Sequence, residues 1–326
     1  MKRGVGMKRT MLVVGAVLLF GVFAVSCGGA VGENSESGGE RAASEGTERE
    51  AEREEPTPVE IVRLSQRTTV EAGSARVAMT MTYPASEGMP EFSMEMRGVQ
   101  DFTTGDGDFT LAMPFMPTGG EIEHLVVDNV MYQRYPEDLR AQMPFLPPEK
   151  EWVATDLEEQ YEEQYGMSLQ EMQSSAPQTP ADQLSYLRSV GSVERIGSEK
   201  IDGAQTTRYR AVVDLNRELE ALDGEEELTR MYRDLEEQLG TDKFPTEVWI
   251  DADGLVRRQL MEVPLPDSTP VEGADGETTA QQLPEGEMTM TVTYGDFGVP
   301  VAVEAPPAEA VIPQKDFEAL VQGQGA

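Results

Sequence analysis

Residues 193–215 read VERIGSEKIDGAQTTRYRAVVDL, and this stretch predicts a β-hairpin. Two runs with β-branched and aromatic residues, Val193–Ile201 and Ala204–Leu215, flank the pair Asp202-Gly203. An Asp-Gly pair between two such runs is typical of the tight turns that join antiparallel strands, because both turn residues adopt a positive φ. The stretch therefore places an antiparallel sheet in the second half of the chain.

Strand patterns continue on both sides of this hairpin. Two further hairpins and four single strands are predicted: Ile122–Val127 with Val130–Tyr135 around Asp128-Asn129, Phe244–Asp251 with Leu255–Val263 around Ala252-Asp253-Gly254, and Ser74–Tyr83, Phe92–Val99, Phe109–Met113 and Met288–Phe297. Each segment alternates apolar and polar residues, which is the pattern of a half-buried strand. About ten strands that arrive largely as hairpins indicate one antiparallel sheet.

Helices are predicted before the sheet and in the middle of the chain. The segments with helical spacing or helix start signals are Val59–Val70, Asp156–Tyr165, Pro180–Val190 and Asn216–Leu239. Helices gathered between strands of an antiparallel sheet pack against one face or one mouth of it. We therefore expect one α+β domain over residues 59–310, followed by a C-terminal tail over residues 311–326.

The first 26 residues have the layout of a secretory signal peptide. Four cations precede an apolar run from Met11 to Val25, which ends at Ser26-Cys27-Gly28. A run of about 15 residues is short for a spanning helix, which needs roughly 20, so cleavage is favoured over permanent anchoring. Met7 is an alternative start of the chain.

Cys27 is the sole cysteine, which is unusual for an exported protein unless its thiol is modified. The residues Ala24-Val25-Ser26-Cys27 resemble a bacterial lipobox, in which the cysteine receives a lipid and becomes the new N-terminus. Two or three acyl chains give a stable anchor, whereas one gives marginal binding. We expect lipidation at Cys27 and a place on the extracytoplasmic face of the cell membrane. Ordinary signal peptidase cleavage is the alternative.

Residues 27–58 predict a disordered acidic tether. Residues 28–58 contain no aromatic residue and many Glu and Gly residues, so they cannot bury enough apolar surface to fold. The whole chain has 60 acidic and 26 basic residues and a formal net charge of −34. Binding to nucleic acid requires clusters of Lys and Arg that face phosphates, so this balance excludes it.

Four stretches together resemble the LolA-like bacterial lipoproteins, and the LppX/LprG-type lipid-binding lipoproteins in particular. They are HLVVDNVMYQRYP from His124, VERIGSEKIDGAQTTRYRAVVDL from Val193, PTEVWIDADGLVRRQLMEV from Pro245 and TVTYGDFGVPVAVEAPP from Thr291. The resemblance spans about residues 59–307 and rests on the order and spacing of these stretches.

The resemblance implies a strongly curved antiparallel sheet, a half-open β-barrel, with helices that cover its concave face. It also implies an apolar cavity that holds the acyl chains of a lipid or lipoglycan. The candidate cavity residues on predicted inward faces are Met79, Met81, Phe92, Met94, Met96, Met113, Met288 and Met290. Methionine is flexible and polarizable, which suits variable apolar partners. Ordinary core packing is the alternative for this methionine pattern.

Two similar loops, MPFMP from Met113 and MPFLP from Met143, provide candidates for the rim of the cavity: Phe115, Met116, Phe145 and Leu146. Proline keeps such loops extended, so the apolar side chains could form an entrance or a lip that touches the membrane. Loops that fold over the core are the alternative.

Catalytic and metal-binding patterns are not found in the sequence. The chain has one histidine, His124, and lacks a nucleophile elbow and a phosphate-binding glycine loop. Asp251-Ala252-Asp253-Gly254 is similar to part of a calcium loop but lacks its closing Glu. We therefore expect a non-enzymatic protein without cofactor or metal.

The function that these observations predict is the binding of a hydrophobic ligand for transport or presentation across the cell envelope. The expected partners are that ligand, the membrane through the lipid anchor, and a membrane transporter or another envelope protein. The protein is expected to be a monomer. The alternative is a scaffold or sensor domain that binds another envelope protein. A hydrolase with two carboxylates across a cleft is a third class.

Overall fold

The structure of the chain is a computed structural model. It describes residues 56–85, 90–113, 120–165, 187, 190–217, 229, 233, 236, 239–265, 268–272, 278–282 and 286–323. The predicted signal peptide, Cys27, nearly all of the predicted tether and most of the predicted helices at 180–190 and 216–239 lie outside these residues. Within the described ranges, none of the helices has both the length and the apolar character that crossing a bilayer requires.

The described residues contain fourteen strands and four α-helices with both ends described, and residues 215–217 are also helical. The strands are β1 (Ser74–Tyr83), β2 (Phe92–Asp101), β3 (Gly107–Ala112), β4 (Glu121–Val127), β5 (Val130–Arg134), β6 (Trp152–Asp156), β7 (Val190–Ile201), β8 (Ala204–Asp214), β9 (Lys243–Asp251), β10 (Val256–Pro264), β11 (Ser268–Glu272), β12 (Thr278–Gln282), β13 (Glu287–Gly295) and β14 (Val311–Pro313). The helices are α1 (Pro58–Glu71), α2 (Glu137–Arg140), α3 (Leu157–Tyr165) and α4 (Gln314–Gln322).

Twelve strands form one open sheet in the order β14-β6-β5-β4-β3-β2-β1-β13-β10-β9-β8-β7. Neighbouring strands are antiparallel except for β14, which pairs with β6 in parallel. Among the described residues, β14 and β7 are the two edges and do not pair with each other. The predicted α+β class with a large antiparallel sheet is confirmed, whereas the covering of a concave face by helices remains a prediction.

The three predicted hairpins are confirmed, and two of their turns have two consecutive residues with positive φ. Asp128 and Asn129 between β4 and β5 have φ values of 51° and 63°. Asp202 and Gly203 between β7 and β8 have φ values of 48° and 85°. Two consecutive residues with positive φ match the right-handed twist of the flanking strands.

The first helix, α1, begins at a capping box and packs against the sheet. The Thr57 hydroxyl accepts a hydrogen bond from the Glu60 N–H, and the Glu60 carboxylate accepts one from the Thr57 N–H. The helix contacts β7, β9 and β10. Thr69 accepts a hydrogen bond from the Val256 N–H at 2.9 Å, and Arg63 donates one to the Val190 carbonyl at 3.0 Å. The helix therefore covers the β7 to β10 end of the sheet.

Residues 311–322, which the sequence predicts as a tail, are part of the folded domain. The strand β14 pairs with β6, and α4 follows it directly. Ile312 packs with Val153 and Leu146 in a small apolar cluster beside this edge. The sequence pattern did not indicate this strand, because three residues, of which the last is a proline, are too few to show an alternation.

The two faces of the sheet differ in character. One face carries the main apolar core and is called the inner face below. On the opposite, outer face, the guanidinium groups of Arg208 and Arg258 lie 4.9 and 5.5 Å from the ring centre of Trp249. Arg134 lies 5.0 Å from the ring centre of Trp152 in the same way. Both tryptophans are therefore buried beneath arginine side chains rather than in the inner core.

Candidate ligand-binding face

A row of methionines crosses four adjacent strands on the inner face. Met261 of β10 pairs with Met290 of β13, Met290 pairs with Met81 of β1, and Met81 pairs with Met94 of β2. Paired residues of neighbouring antiparallel strands bring their β-carbons to about 5 Å, so their side chains are in contact range. These four residues are called the methionine row.

The next row of the inner face is also apolar. Met79 pairs with Val292 on one side and with Met96 on the other. Met96 pairs in turn with Leu111 of β3, and Leu111 pairs with Ile122 of β4. Two successive rows of the sheet therefore present a continuous apolar surface with several flexible side chains.

The structure brings all eight candidate cavity residues into one apolar cluster. Met79, Met81, Met94 and Met96 are buried, whereas Phe92, Met113, Met288 and Met290 are partly buried and pack against them. The Phe92 ring stacks on Tyr83 with a distance of 4.9 Å between ring centres. Met261 was not singled out from the sequence, although it lies in a predicted strand, on the same face as Gln259 and Val263. A contact of these residues with a ligand remains a prediction.

The two rim candidates that the structure describes do not belong to the cluster that contains the methionines. Leu146 is buried and Phe145 is half-buried, and both belong to the small cluster beside β6 and β14. The ring centre of Phe317 in α4 lies 6.0 Å from the ring centre of Phe145 and 6.3 Å from that of Tyr135. The other two candidates, Phe115 and Met116, lie outside the described residues. The second loop thus folds over an apolar cluster at the β14 edge.

The inner face also contains buried polar side chains among the strands β2 to β5. His124 is 2% exposed and Gln100 is 1% exposed. Burial lowers the pKa of His124 from 6.5 to about 4, because an apolar environment disfavours the charged imidazole. The Nδ1 atom of His124 lies 3.5 Å from Nε2 of Gln133 on the neighbouring strand. The sequence did not assign a role to this histidine, since a single histidine on a strand has no distinctive pattern.

The strand β3 lies between Gln100 on β2 and His124 on β4, and it packs closely against β2. The Phe109 ring lies over Gly107 of its own strand and over Gly98, its partner on β2. A β-carbon at Gly98 would overlap the Asp108 carbonyl oxygen and would lie 2.8 Å from the Phe109 Cα atom. Glycine is therefore required at Gly98 by the approach of the neighbouring backbone.

A groove of about 500 Å³ lies along α1, away from the methionine row. Its lining residues all belong to this helix and include Leu64 and Val70 together with charged side chains. Leu64 is 43% exposed. Because all its lining residues belong to one helix, the groove is not an enclosed site, and no function is assigned to it.

Metal-ligand geometry is not found in the part of the chain that the structure describes, where no group of three His, Cys, Asp or Glu side chains is placed to hold an ion. At the segment similar to a calcium loop, the oxygens of Asp251 have protein partners. Oδ1 accepts hydrogen bonds from the N–H groups of Asp253 and Leu255, and Oδ2 accepts one from Arg257 at 2.6 Å. This segment is the β9 to β10 turn, as the hairpin interpretation predicts.

Comparison with known proteins finds similarity to solved structures, at the level of the fold. No family model matches the chain, and no curated protein matches it. Among solved structures, the Mycobacterium tuberculosis lipoprotein LppX is 14% identical and has a TM-score of 0.39, with coverage of 74% of this chain and 98% of LppX. LprF from Mycobacterium bovis is 14% identical with a TM-score of 0.39, over 77% of this chain and 97% of LprF.

A putative outer membrane lipoprotein-sorting protein domain from Vibrio parahaemolyticus is also similar. It is 10% identical with a TM-score of 0.23, over 81% of this chain and 97% of that domain. The fold family recognised from the sequence, the LolA-like and LppX-type lipoproteins, is thus found again among similar solved structures. Because these identities and TM-scores are low, the argument about function rests on the residues of this chain.

Proposed function

We propose that this protein is a monomeric lipoprotein, anchored through Cys27 to the extracytoplasmic face of a membrane, that binds a hydrophobic ligand on the inner face of its sheet. The ligand is a lipid or the acyl chains of a lipoglycan, held for transport or presentation across the envelope. The acidic tether at residues 27–58 would separate the domain from the bilayer. A flexible chain of this length spans roughly 30 Å.

The methionine row is the observation that supports this proposal. Four methionines in register across β10, β13, β1 and β2 form a surface that is apolar but not rigid. Unbranched thioether side chains adopt many shapes at low cost, so they accommodate acyl chains of different length and saturation. Leucine or valine would serve better if a single packed arrangement were needed, because their rotamers are better defined.

The alternative is an envelope scaffold or sensor, and the burial of the row favours it. Met81 and Met94 are only 4% and 1% exposed, so the surrounding protein already covers them. If this cover is permanent, the inner face is a packed core and the function lies at another surface, where another envelope protein would bind. In a carrier, the ligand would have to displace part of the protein that covers these methionines.

Ligand binding is tested on the exported full chain in which Cys27→Ser removes the anchor. The protein is analysed by native mass spectrometry for bound lipid, and the uptake of the fluorescent hydrocarbon diphenylhexatriene is titrated. Bound acyl species and saturable uptake would support the carrier. An empty protein that also fails to take up the probe would overturn it and leave the scaffold alternative.

Two substitutions on adjacent residues of β13 locate the binding surface. Met290→Gln introduces an amide into the methionine row, whereas Thr291→Gln introduces the same side chain on the outer face. Both positions are half-buried, so neither change places an amide at a fully buried position. We expect weaker probe uptake for Met290→Gln and unchanged uptake for Thr291→Gln. Equal effects of the two substitutions would contradict a site on the inner face.

A further inference from the structure

The exposure of the inner face changes along its strands. At the end where β1 begins, the core residues Ala75, Tyr294 and Val256 are at most 1% exposed. At the opposite end, the last inner-face residue of each of the strands β10, β13, β1 and β2 is only partly buried. These four residues, called the terminal row, are Val263, Met288, Tyr83 and Phe92. Because four adjacent strands show the same change, the exposure belongs to one end of the sheet.

The buried end is closed by chain segments that pack around it. The Phe102 N–H donates a hydrogen bond to the Gly73 carbonyl at 2.8 Å, and the Ser74 hydroxyl donates one to the Val299 carbonyl at 2.6 Å. The last turn of α1 lies at the same end, because the helix leads through Gly73 into β1. On the described strands β1 and β13, apolar inner-face side chains are therefore accessible near the terminal row and not at the closed end.

The terminal row continues the methionine row. Tyr83 follows Met81 by two residues on β1, and Phe92 precedes Met94 by two residues on β2, so all four side chains point to the inner face. Two residues along a strand correspond to roughly 7 Å. The rings of Tyr83 and Phe92 stack with 4.9 Å between their centres. An apolar surface thus runs without interruption from the accessible row to the buried methionines.

The chain around the terminal row is acidic. Glu91, Glu262 and Glu287 are exposed, and each adjoins one residue of the row in the sequence. Residues 77–96 and 259–314, which include the whole row, contain no Lys or Arg. Three unit charges at roughly 10 Å in water change the affinity for a charged group about tenfold. This end of the sheet therefore favours a cation and disfavours an anion.

We propose that the ligand enters the inner face at the terminal row with its acyl chain first, and that its head group stays at this row and carries a positively charged amine. This inference rests on the proposed function. It adds the place of entry and the class of ligand, an amine-bearing amphiphile rather than a fatty acid or an anionic phospholipid. The apolar rows hold the chain, and the three carboxylates attract the amine.

The place of entry is tested by blocking it. Cys27 is the only cysteine, so the exported full chain with Cys27→Ser is a thiol-free parent for single substitutions. Met288→Cys places a thiol in the terminal row, and Asp253→Cys places one on the exposed turn at the closed end. Reaction with a bulky maleimide should abolish diphenylhexatriene uptake by Met288→Cys and leave that of Asp253→Cys unchanged. Undiminished uptake by modified Met288→Cys would overturn the inference, as would a thiol at this position that does not react in the folded protein.

The class of head group is tested by displacement of diphenylhexatriene from the parent. The competitors share one chain and differ only at the end: dodecylamine, dodecanol and dodecanoate, at pH 8 and low salt and below their critical micelle concentrations. We expect the amine to displace the probe at a concentration at least about tenfold lower than the carboxylate, with the alcohol between them. The difference should shrink in about 1 M salt, where charges are screened beyond roughly 3 Å. A carboxylate that competes as well as the amine would overturn the inference.

The net charge of −34 on the whole chain also attracts cations, so the local effect needs a matched control. Two triple variants each remove three exposed carboxylates, at the terminal row or at the closed end: Glu91→Gln, Glu262→Gln and Glu287→Gln, against Glu71→Gln, Asp202→Asn and Asp253→Asn. The first triple variant should lose the preference for the amine by about tenfold, and the second should retain it. Equal losses would overturn the inference and leave the proposed function standing. Absence of probe uptake by the parent would overturn both.

Discussion

Acidification from pH 8 to pH 5 should reduce the free energy of unfolding by about 2 kcal/mol through one side chain, His124. Burial holds the pKa of this group at about 4 in the folded protein, whereas its ordinary value is 6.5. Between these values the unfolded chain binds a proton that the folded protein does not bind. Stability therefore falls as the pH falls through this window.

The magnitude follows from the difference between the two pKa values. The fall of this pKa from 6.5 to about 4 corresponds to about 3 kcal/mol in total, because each tenfold change in proton affinity contributes about 1.4 kcal/mol. The contribution is fully present above about pH 7, about 2 kcal/mol of it is lost by pH 5, and the loss is complete below pH 4. The nearest inner-face residues, Gln133 and Phe109, do not titrate.

The assay compares the parent with His124→Leu, both with Cys27→Ser, in urea unfolding followed by tryptophan fluorescence and circular dichroism at pH 8, 7, 6 and 5. Carboxylates titrate in both proteins, including Asp108, whose pKa is raised by desolvation and then by Glu123. The difference between the two curves isolates the histidine. Parallel curves, with a constant difference across the range, would refute the assignment of a buried neutral imidazole.

Three further substitutions test the packing of the domain by urea unfolding. Gly98→Ala should lower the free energy of unfolding by at least about 2 kcal/mol, because the new β-carbon would meet the backbone of β3. A β-carbon at Gly197 would meet open space, so Gly197→Ala should lower it far less. Thr57→Ala should cost about 1 kcal/mol through loss of the α1 cap, and Thr57→Ser should restore it. Ile312→Ala should cost about 2 to 4 kcal/mol, whereas the exposed Val321→Ala should have little effect. A small loss of stability for Gly98→Ala, Thr57→Ala or Ile312→Ala would contradict the contacts described for that residue.

Local patterns located most of the strands, because the signals that define a hairpin lie within a few residues. The pairs Asp128-Asn129 and Asp202-Gly203 predicted tight turns, and their positive φ values are those that the turns require. The helical spacing of apolar residues over 59–70 predicted α1, which begins one residue earlier, at Pro58. Alternation assigned the inner-face methionines to one side of each strand.

Pairings between distant segments could not be predicted in this way. The strand β1 joins β13 more than 200 residues later, and this pairing connects the two halves of the sheet. The strand β14 has three residues and becomes a strand through its contact with β6. Neither pairing has a local signal, because strand propensity depends on the neighbours that the fold supplies.

The sequence by itself determined which residues face the same side, where the chain turns, and that the protein is acidic with a single cysteine after an apolar leader-like run. Only the tertiary structure decided that Met261, Met290, Met81 and Met94 form one row, and that His124 is buried without a partner for Nε2 among the described residues. The reason is that register between strands and burial are set by the whole sheet, whereas alternation and turn geometry are properties of each segment.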